Sequence, residues 1–222
     1  MLDVGSNSSI FIYEVNEDSE NQRGRQSLRE RLKEATGREI LNAAEQLFGE
    51  GGLEQATMAQ IAERAGVAVG TLYNRFADRD ALVEALLAER RGDLLHQLDE
   101  NMAALEHEGF REQLIGFFTT LFTHMDAHRP FLKLVFSREL GAKEGRERMA
   151  RGMFDRLESI LKRGHREKML KRDADHCFAM ALFGAAKGNM QRDVYGLAPL
   201  APHVAARAVV TLFLDGAVRE ER

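Results

Sequence analysis

The sequence predicts an all-α protein, because a helical hydrophobic pattern runs through nearly the whole chain and signals for strands are rare. From about Leu28 onward, apolar residues recur at spacings of three and four. Only three of the 222 residues are proline. Period-two alternation is confined to "IFIYEV", Ile10–Val15, which has no identifiable partner strand. We therefore expect about nine helices packed on one another and no sheet.

The helices are expected to follow one another with short connections. The first begins at about Leu28, or at Gly37 if the earlier part frays, and ends after Phe48 at the glycine-rich breaker "GEGG". The remaining eight are expected at about 58–65, 69–75, 78–105, 110–128, 130–139, 143–168, 173–195 and 199–217. Residues 1–27 are interpreted as a flexible extension, because they are rich in acidic and polar residues.

Composition narrows the class of protein. The net charge of the whole chain is -4, which does not indicate a nucleic-acid partner. Such a partner would have to bind a local surface. Cys177 is the only cysteine, which excludes an intrachain disulfide and a cysteine-based zinc site and suits a reducing cytoplasm. The longest apolar run, 177–186, is too short to span a membrane, and the acidic start is not a signal-peptide pattern. We expect a cytoplasmic protein with no membrane partner.

A helix-turn-helix pattern occupies residues 57–76. "TMAQ" has the spacing of a capping box, with Thr57 at the N-cap and Gln60 three residues later. Gly66 suits the left-handed conformation that ends a helix and turns the chain. A second short helix follows at once. Apolar residues on facing sides, Ile61 and Leu72 among them, are expected to fix the angle between the two helices.

The outer face of the second helix has the residue types that a DNA groove requires. It begins with small side chains and continues with hydrogen-bonding ones, in the order Ala68, Val69, Gly70, Thr71, Tyr73 and Asn74. Small residues permit close approach to base edges, and a hydroxyl can bond to a base or a phosphate. Thr57 sits at a helix N-terminus, which favours an anion, and Arg79 could clamp the backbone. The pattern predicts a recognition helix.

The run "REILNAAEQLFGEGGLEQATMAQIAERAGVAVGTLYNRFADRDALVEALLAE", Arg38–Glu89, resembles the DNA-binding domain of the tetracycline-repressor (TetR) family of bacterial regulators. The resemblance implies a DNA-binding domain at 28–88 and a ligand-binding, dimerising domain at 89–222. It implies a double-stranded DNA operator and a small-molecule ligand as partners, and no cofactor. By the same resemblance, the DNA contacts would be Thr57, Ala68, Val69, Gly70, Thr71, Tyr73, Asn74 and Arg79.

The helix-turn-helix is poor in cations, and a basic run precedes it. "RGRQSLRERLK", Arg23–Lys33, has five cationic residues and one acidic residue. Basic arms ahead of a helix-turn-helix can reach the minor groove. The alternative is a solvated helix extension with charge pairs along its surface. Both interpretations remain open at the level of sequence.

The helices after residue 89 contain apolar stripes rich in phenylalanine and methionine. A pocket lined by such residues with a few polar groups would suit a flexible hydrophobic ligand, whereas each residue taken singly is also a candidate for plain core packing. The expected ligand-binding residues are Phe117, Leu121, Phe122, His124, Met125, Phe136, Met153 and Phe154.

The last two helices, about 173–195 and 199–217, are apolar on more than one face, which predicts a homodimer interface. Small residues in the first would let a neighbouring helix approach. The second presents one face made of Val204, Ala208, Thr211, Leu212 and Asp215. A twofold dimer would present two recognition helices to a palindromic site.

Other functions have weaker support. His124 and His128 have the i,i+4 spacing of two metal ligands, but no HExxH glutamate accompanies them. No catalytic or nucleotide-binding motif is present. A helical metalloenzyme and an all-α ligand-binding or scaffold dimer without operator binding are the two alternatives. The favoured hypothesis is a repressor released from its operator by a small molecule, neither an enzyme nor a metal-binding protein.

Overall fold

The computed structural model describes residues 9–138, 140–170, 176–192 and 196–215. Within these residues there are nine helices and no strand, which confirms the predicted fold class. They are α1 (Ser9–Gly51), α2 (Met58–Arg64), α3 (Val69–Tyr73), α4 (Arg79–Ala104), α5 (Phe110–Ala127), α6 (Arg129–Arg138), α7 (Lys143–Arg166), α8 (His176–Met190) and α9 (Pro202–Asp215).

The largest difference from the expected boundaries concerns α1. This helix begins at Ser9, so residues 9–27, expected to be flexible, are helical. The stretch contains no proline, and its second half includes the good helix formers Glu20, Gln22, Arg23, Arg25 and Gln26. The expected ends of the last two helices, at 173–175, 193–195 and 216–217, lie outside the described residues.

Helix ends elsewhere follow their local signals. Asp78 caps α4, its Oδ1 accepting a hydrogen bond from the Ala81 amide at 2.8 Å. Helix α7 ends two residues before Lys168, which has a φ of 59°. The Met169 amide donates to the Gly164 carbonyl at 2.9 Å, closing the turn.

The first of two hydrophobic cores joins α1–α3, the beginning of α4, and α6. Phe48 of α1 and Phe131 of α6 are fully buried and stack with ring centroids 6.3 Å apart. Helix α6 therefore completes the core of the N-terminal domain, although it follows α5 in the chain. The most buried members of this core are Ile40, Ala44, Phe48, Ile61, Ala62, Leu72, Leu82, Leu86 and Phe131.

The second core lies among the rest of α4, α5 and α7–α9. Its largest buried side chains are Phe110, Phe117, Phe118, Leu94 and Leu98. Helix α4 contributes to both cores, with Leu82 and Leu86 in the first and Leu94 and Leu98 in the second. A movement of α4 would thus change the packing in both cores. Nowhere in the described ranges does a helix combine the length and apolar character needed to cross a membrane.

Candidate nucleic-acid interface and effector region

The helix-turn-helix has the local geometry that its sequence predicts. The Gln60 amide donates to Thr57 Oγ1 at 3.2 Å and the Thr57 amide donates to Gln60 Oε1 at 2.9 Å, which completes the capping box. Gly66 has a φ of +66°, the left-handed conformation expected for the turn. Ile61 and Leu72 are fully buried and hold α2 against α3. The motif is therefore closed on its inner side.

The structure exposes seven of the eight residues expected to contact DNA. Val69 is 42% and Tyr73 is 51% exposed, although both are large side chains that usually find cover. The remaining exposed members are Thr57, Ala68, Gly70, Thr71 and Asn74. A Cβ added at Gly70 would meet no atom within 4 Å, so its surroundings are open. All seven residues are open to solvent, and together we call them the α3 face.

The eighth residue, Arg79, is half-buried and directed into the protein. Its Nη1 donates to the Leu53 carbonyl at 2.7 Å, and its Nη2 lies 3.7 Å from Glu54. Arg138 of α6 binds the same Glu54 at 3.1 Å. In this conformation Arg79 fastens the α1–α2 connection to α4, and it would have to leave these partners to reach a phosphate.

The other arginines of the domain also have protein partners. Arg38 pairs with Glu89 at 3.4 Å, and Arg64 pairs with Glu50 at 2.8 Å. That pairing lowers the pKa of the Glu50 carboxyl, mainly through the hydrogen bond from Arg64. Arg75 donates to the Lys33 carbonyl at 2.8 Å. Residues 34–79 contain no lysine, so every cation of this segment has an internal contact.

Seven of the eight expected ligand-binding residues lie at the second core or on its border. Phe117, Leu121, Phe122 and His124 are buried, and the half-buried Met125, Met153 and Phe154 pack against the same core. Aromatic rings pack against one another in this core. Phe117 meets Phe118 edge to face at 5.2 Å between centroids, and Phe154 lies 4.7 Å from Phe183. Phe183, which sequence reasoning did not single out, lies within the long apolar run of α8.

The eighth, Phe136, does not join them. It lies on α6 and is 58% exposed. The apolar side of α6, with Phe131 and Val135, packs into the first core instead. An apolar helical stripe indicates that a face is buried and does not indicate which of two cores receives it.

A polar cluster connects the two cores at the junction of α1, α4 and α5. His128 Nδ1 lies 2.6 Å from Glu45 Oε1. The other oxygen of Glu45 accepts hydrogen bonds from Arg90, with Nη2 at 2.6 Å and Nε at 2.8 Å. Arg90 also binds Asp93 at 3.0 Å and Asn42 at 2.7 Å. We call Glu45, Arg90 and His128 the junction cluster.

His124 lies beside this cluster and is 4% exposed. Its ring centroid is 4.6 Å from that of His128, and its Nδ1 is 3.3 Å from Gln97 Oε1. Burial, with a further contribution from the neighbouring His128, lowers the pKa of His124 to about 4. In the described part of the chain, no three His, Cys, Asp or Glu side chains are arranged to hold a metal ion.

A groove that sequence reasoning missed lies between α4 and α5. Its volume is about 430 Å³, and its lining includes three threonines and Asn101. The Oδ1 of Asn101 is buried without a hydrogen-bond partner. Only Thr120 was noted from the sequence, because polar residues on two separate helices give no local motif. The full lining is Gln97, Glu100, Asn101, Ala104, Thr119, Thr120 and Thr123.

The outer face of α8 and α9 is apolar and open to solvent. All five residues expected on one face of α9 are exposed, among them Val204 at 43% and Leu212 at 55%. Met180 of α8 is 59% exposed. A Cβ added at Gly184 or Gly188 would meet nothing within 4 Å, so another helix has room to approach. The face is defined by Met180, Ala181, Gly184, Gly188, Val204, Ala208, Thr211, Leu212 and Asp215.

Comparison with known proteins agrees with this architecture. The family model "Bacterial regulatory proteins, tetR family" matches residues 40–86. The HTH-type transcriptional regulator UidR of Escherichia coli is 30% identical over 89 residues, which cover 34% of this chain and 45% of that protein. The chain thus spans less than half the length of this relative.

Solved structures cover more of the chain. A fatty acid degradation regulator FadR from Bacillus halodurans superposes with a TM-score of 0.69 and 24% identity, over 84% of this chain and 97% of that one. The transcriptional regulator FadR from Bacillus subtilis was solved in complex with stearoyl-CoA. It superposes with a TM-score of 0.66 and 22% identity, over 81% of this chain and 98% of that one. At this identity the likeness shows the fold. The match to the tetR family model covers residues 40–86 of the N-terminal helix-turn-helix region, and the solved structures share the overall fold.

Proposed function

We propose that the protein is a ligand-responsive DNA-binding transcriptional regulator, a repressor that leaves a palindromic operator when a small molecule binds. The observation that carries the proposal is the α3 face. A closed, capped helix-turn-helix presents small and hydrogen-bonding side chains to solvent, and even Val69 and Tyr73 lack cover. A recognition helix needs such a surface to enter the major groove.

The residues of this face have distinct roles in the proposal. Ala68 and Gly70 permit close approach, while Val69 and the methyl of Thr71 can touch a thymine methyl. Tyr73 and Asn74 bind phosphates and fix the register of α3 in the groove. Thr57 places the free amides at the start of α2 near a phosphate. Arg79 can bind a DNA phosphate only after it releases Glu54.

The exposed face of α8 and α9 supports a homodimer. Two copies of this face would form a four-helix interface and cover Met180, Val204 and Leu212, which the single chain leaves open. A twofold axis through it would present two α3 faces to half-sites whose centres lie at least one DNA turn, ~34–36 Å, apart. The operator would then be palindromic.

The ligand is proposed to enter the second core, which is rich in phenylalanine and methionine. Flexible Met125 and Met153 on its border can rearrange around an apolar guest. Because α4 contributes to both cores, a change of its position in the second core also moves the first. Ligand weakens operator binding only if it favours the wrongly spaced dimer, by a coupling of about 1–3 kcal/mol.

The junction cluster is part of this proposed route. Glu45 belongs to α1, Arg90 to α4, and His128 follows the last residue of α5, so their contacts hold the DNA-binding domain against the effector domain at one point. The proposal includes no catalytic step and no metal, and it places the protein in the cytoplasm, where bacterial operators are found.

The test is footprinting of the purified protein on DNA upstream of its own coding sequence. We expect protection of a palindromic site, relieved by a hydrophobic effector; stearoyl-CoA is the first probe, because a structural neighbour was solved with it. A lack of protection on this and other genomic DNA at low salt would contradict operator binding. Protection that no apolar compound relieves would contradict the induction model alone.

A second candidate function is a ligand-binding or scaffold dimer without an operator. The observation in its favour is that Arg38, Arg64, Arg75 and Arg79 all have partners within the chain. The same footprinting decides between the two. Dimerisation and ligand binding without any protected DNA would favour the scaffold.

A further inference from the structure

The electrostatics of the proposed interface are incomplete, and the N-terminal part of α1 can complete them. Phosphate neutralisation by lysine and arginine supplies most of the non-specific affinity of proteins for DNA. Between residues 34 and 79 the only cations are four arginines, and each is in contact with another group of the protein. Each of these arginines would have to exchange a protein partner for a phosphate, so we expect operator binding to use cations from elsewhere in the chain as well.

The nearest supply is the stretch 23–33 of α1, which has five cationic residues against Glu30. It belongs to a continuous helix of 43 residues, about 64 Å long, whose packed part begins near the buried Gly37. The described side chains from Glu30 to Ala35 are all exposed, including Arg31 and Lys33. The described side chains of residues 30–35 therefore lie outside both cores.

A specific contact ties this stretch to the recognition helix. Arg75, two residues after α3 ends, donates from Nη1 to the carbonyl of Lys33 at 2.8 Å. A Cβ at Gly37 would overlap the Arg75 guanidinium, so glycine there lets Arg75 lie against α1. Tyr73 and Asn74, the proposed phosphate contacts of α3, therefore lie close to the C-terminal end of the basic stretch.

We propose that α1 residues 23–33 bind the phosphate backbone of DNA beside each half-site, as a helix and not as an extended arm. This inference rests on the proposed operator binding. The stretch is about 16 Å long and spans about five base pairs of duplex. The preceding segment 14–20 has four acidic residues and no cation, so the contact is expected to end near Arg23.

The test is the salt dependence of affinity on two duplexes, one with the protected palindrome alone and one with flanks on both sides. For the wild-type protein we expect tighter binding and a steeper salt slope with flanks. For the Arg31→Gln/Lys33→Gln protein, the salt slope should fall by about 0.9 for each lost phosphate contact, which is about 3.6 for the four contacts that a dimer loses. The gain in affinity that the flanks provide should also become smaller. Adding Arg23→Gln, Arg25→Gln and Arg29→Gln should abolish it.

Two controls separate charge from other effects. Arg151→Gln/Arg166→Gln removes two exposed charges from α7, far from the α3 face, and should leave the slope unchanged. Leu28→Ala/Leu32→Ala removes exposed apolar groups of the same stretch and should also leave it unchanged. Gly37→Ala keeps every charge but displaces Arg75, and it should weaken only the flank-dependent part of binding.

The outcomes are distinguishable. A wild-type protein that binds neither duplex contradicts the proposed function. A wild-type protein that binds both duplexes with one affinity and one slope overturns the α1 contact alone. If the Arg31/Lys33 variant changes the oligomeric state measured without DNA and not the slope, the basic stretch binds a second copy of the chain and the inference is wrong.

Discussion

His128 Nδ1 lies 2.6 Å from Glu45 Oε1, which joins the end of α5 to the C-terminal part of α1 across 83 residues of sequence. Both side chains are largely buried, and Arg90 of α4 binds the other oxygen of the same carboxylate. Three helices from the two cores therefore meet at one carboxylate, and removal of its charge tests how firmly the domains are held together.

Glu45→Gln is expected to destabilise the protein by about 3 kcal/mol, since it leaves the buried Arg90 guanidinium with a weaker partner. Urea unfolding monitored by circular dichroism measures the change. Glu54→Gln is the matched control. Its side chain is 69% exposed and pairs with two arginines at the surface, so the loss should stay below about 1 kcal/mol. Equal losses for the two variants would show that the junction cluster has no special role.

The second prediction concerns pH. The pKa of His124 is lowered to about 4 by burial and by His128, whereas an unfolded histidine titrates near 6.5. Between these values the unfolded chain binds a proton that the folded chain does not. Above about pH 6.5, the titration of His124 therefore does not change the free energy of unfolding. As the pH falls toward 4, it lowers the free energy of unfolding by about 2–3 kcal/mol.

The groups that face His124 include His128, Arg90, Asp93 and Glu45, so the comparison must isolate one residue. The free energy of unfolding of the wild type minus that of His124→Gln should fall as the pH is lowered from 7 to 4. A flat difference would show that His124 titrates normally and that its burial is looser than in the structure.

Phe131→Ala tests whether α6 belongs to the N-terminal core. The ring is fully buried and stacks on Phe48, so we expect a loss of about 3–5 kcal/mol. Phe136→Ala, on the exposed side of the same helix, should change stability by less than about 0.5 kcal/mol. Thermal unfolding compares the two. A small loss for Phe131→Ala would place α6 outside that core.

The α3 face yields a prediction about two kinds of DNA contact. Tyr73→Ala should weaken binding to all sequences alike and leave the salt slope nearly unchanged, because its phosphate contact carries neither sequence information nor a positive charge. Thr71→Ala should change which base is preferred, at a cost of about 1–3 kcal/mol for the original site. Competition binding with operator and single-base variants distinguishes them. Equal effects of Thr71→Ala on all sequences would contradict its role in base recognition.

The sequence was most informative where structure depends on neighbouring residues. The capping box at Thr57, the left-handed Gly66 and the cap at Asp78 are local, and all three are confirmed. The solvent-facing side of α9 also followed from spacing alone. Contacts between distant segments could not be predicted in this way. The pairing of Glu45 with His128 and the burial of Phe131 in the N-terminal core depend on how α5 and α6 cross α1.

The extension of α1 to Ser9 shows that composition can also mislead about local structure. Acidic and polar composition indicates that a segment has no core of its own, which is typical of flexible chains but also of a solvated helix. The composition alone did not distinguish the two, and continuity with the packed helix after Gly37 decided the outcome.

The most direct test of the central claim is the affinity of the wild-type protein for its footprinted palindrome relative to a scrambled duplex of equal length and composition, at about 0.15 M salt. A DNA-reading regulator should bind the palindrome at least about 1,000-fold more tightly, with one dimer per site. Equal affinity for the two duplexes would contradict sequence recognition by the α3 face, and with it the proposed function.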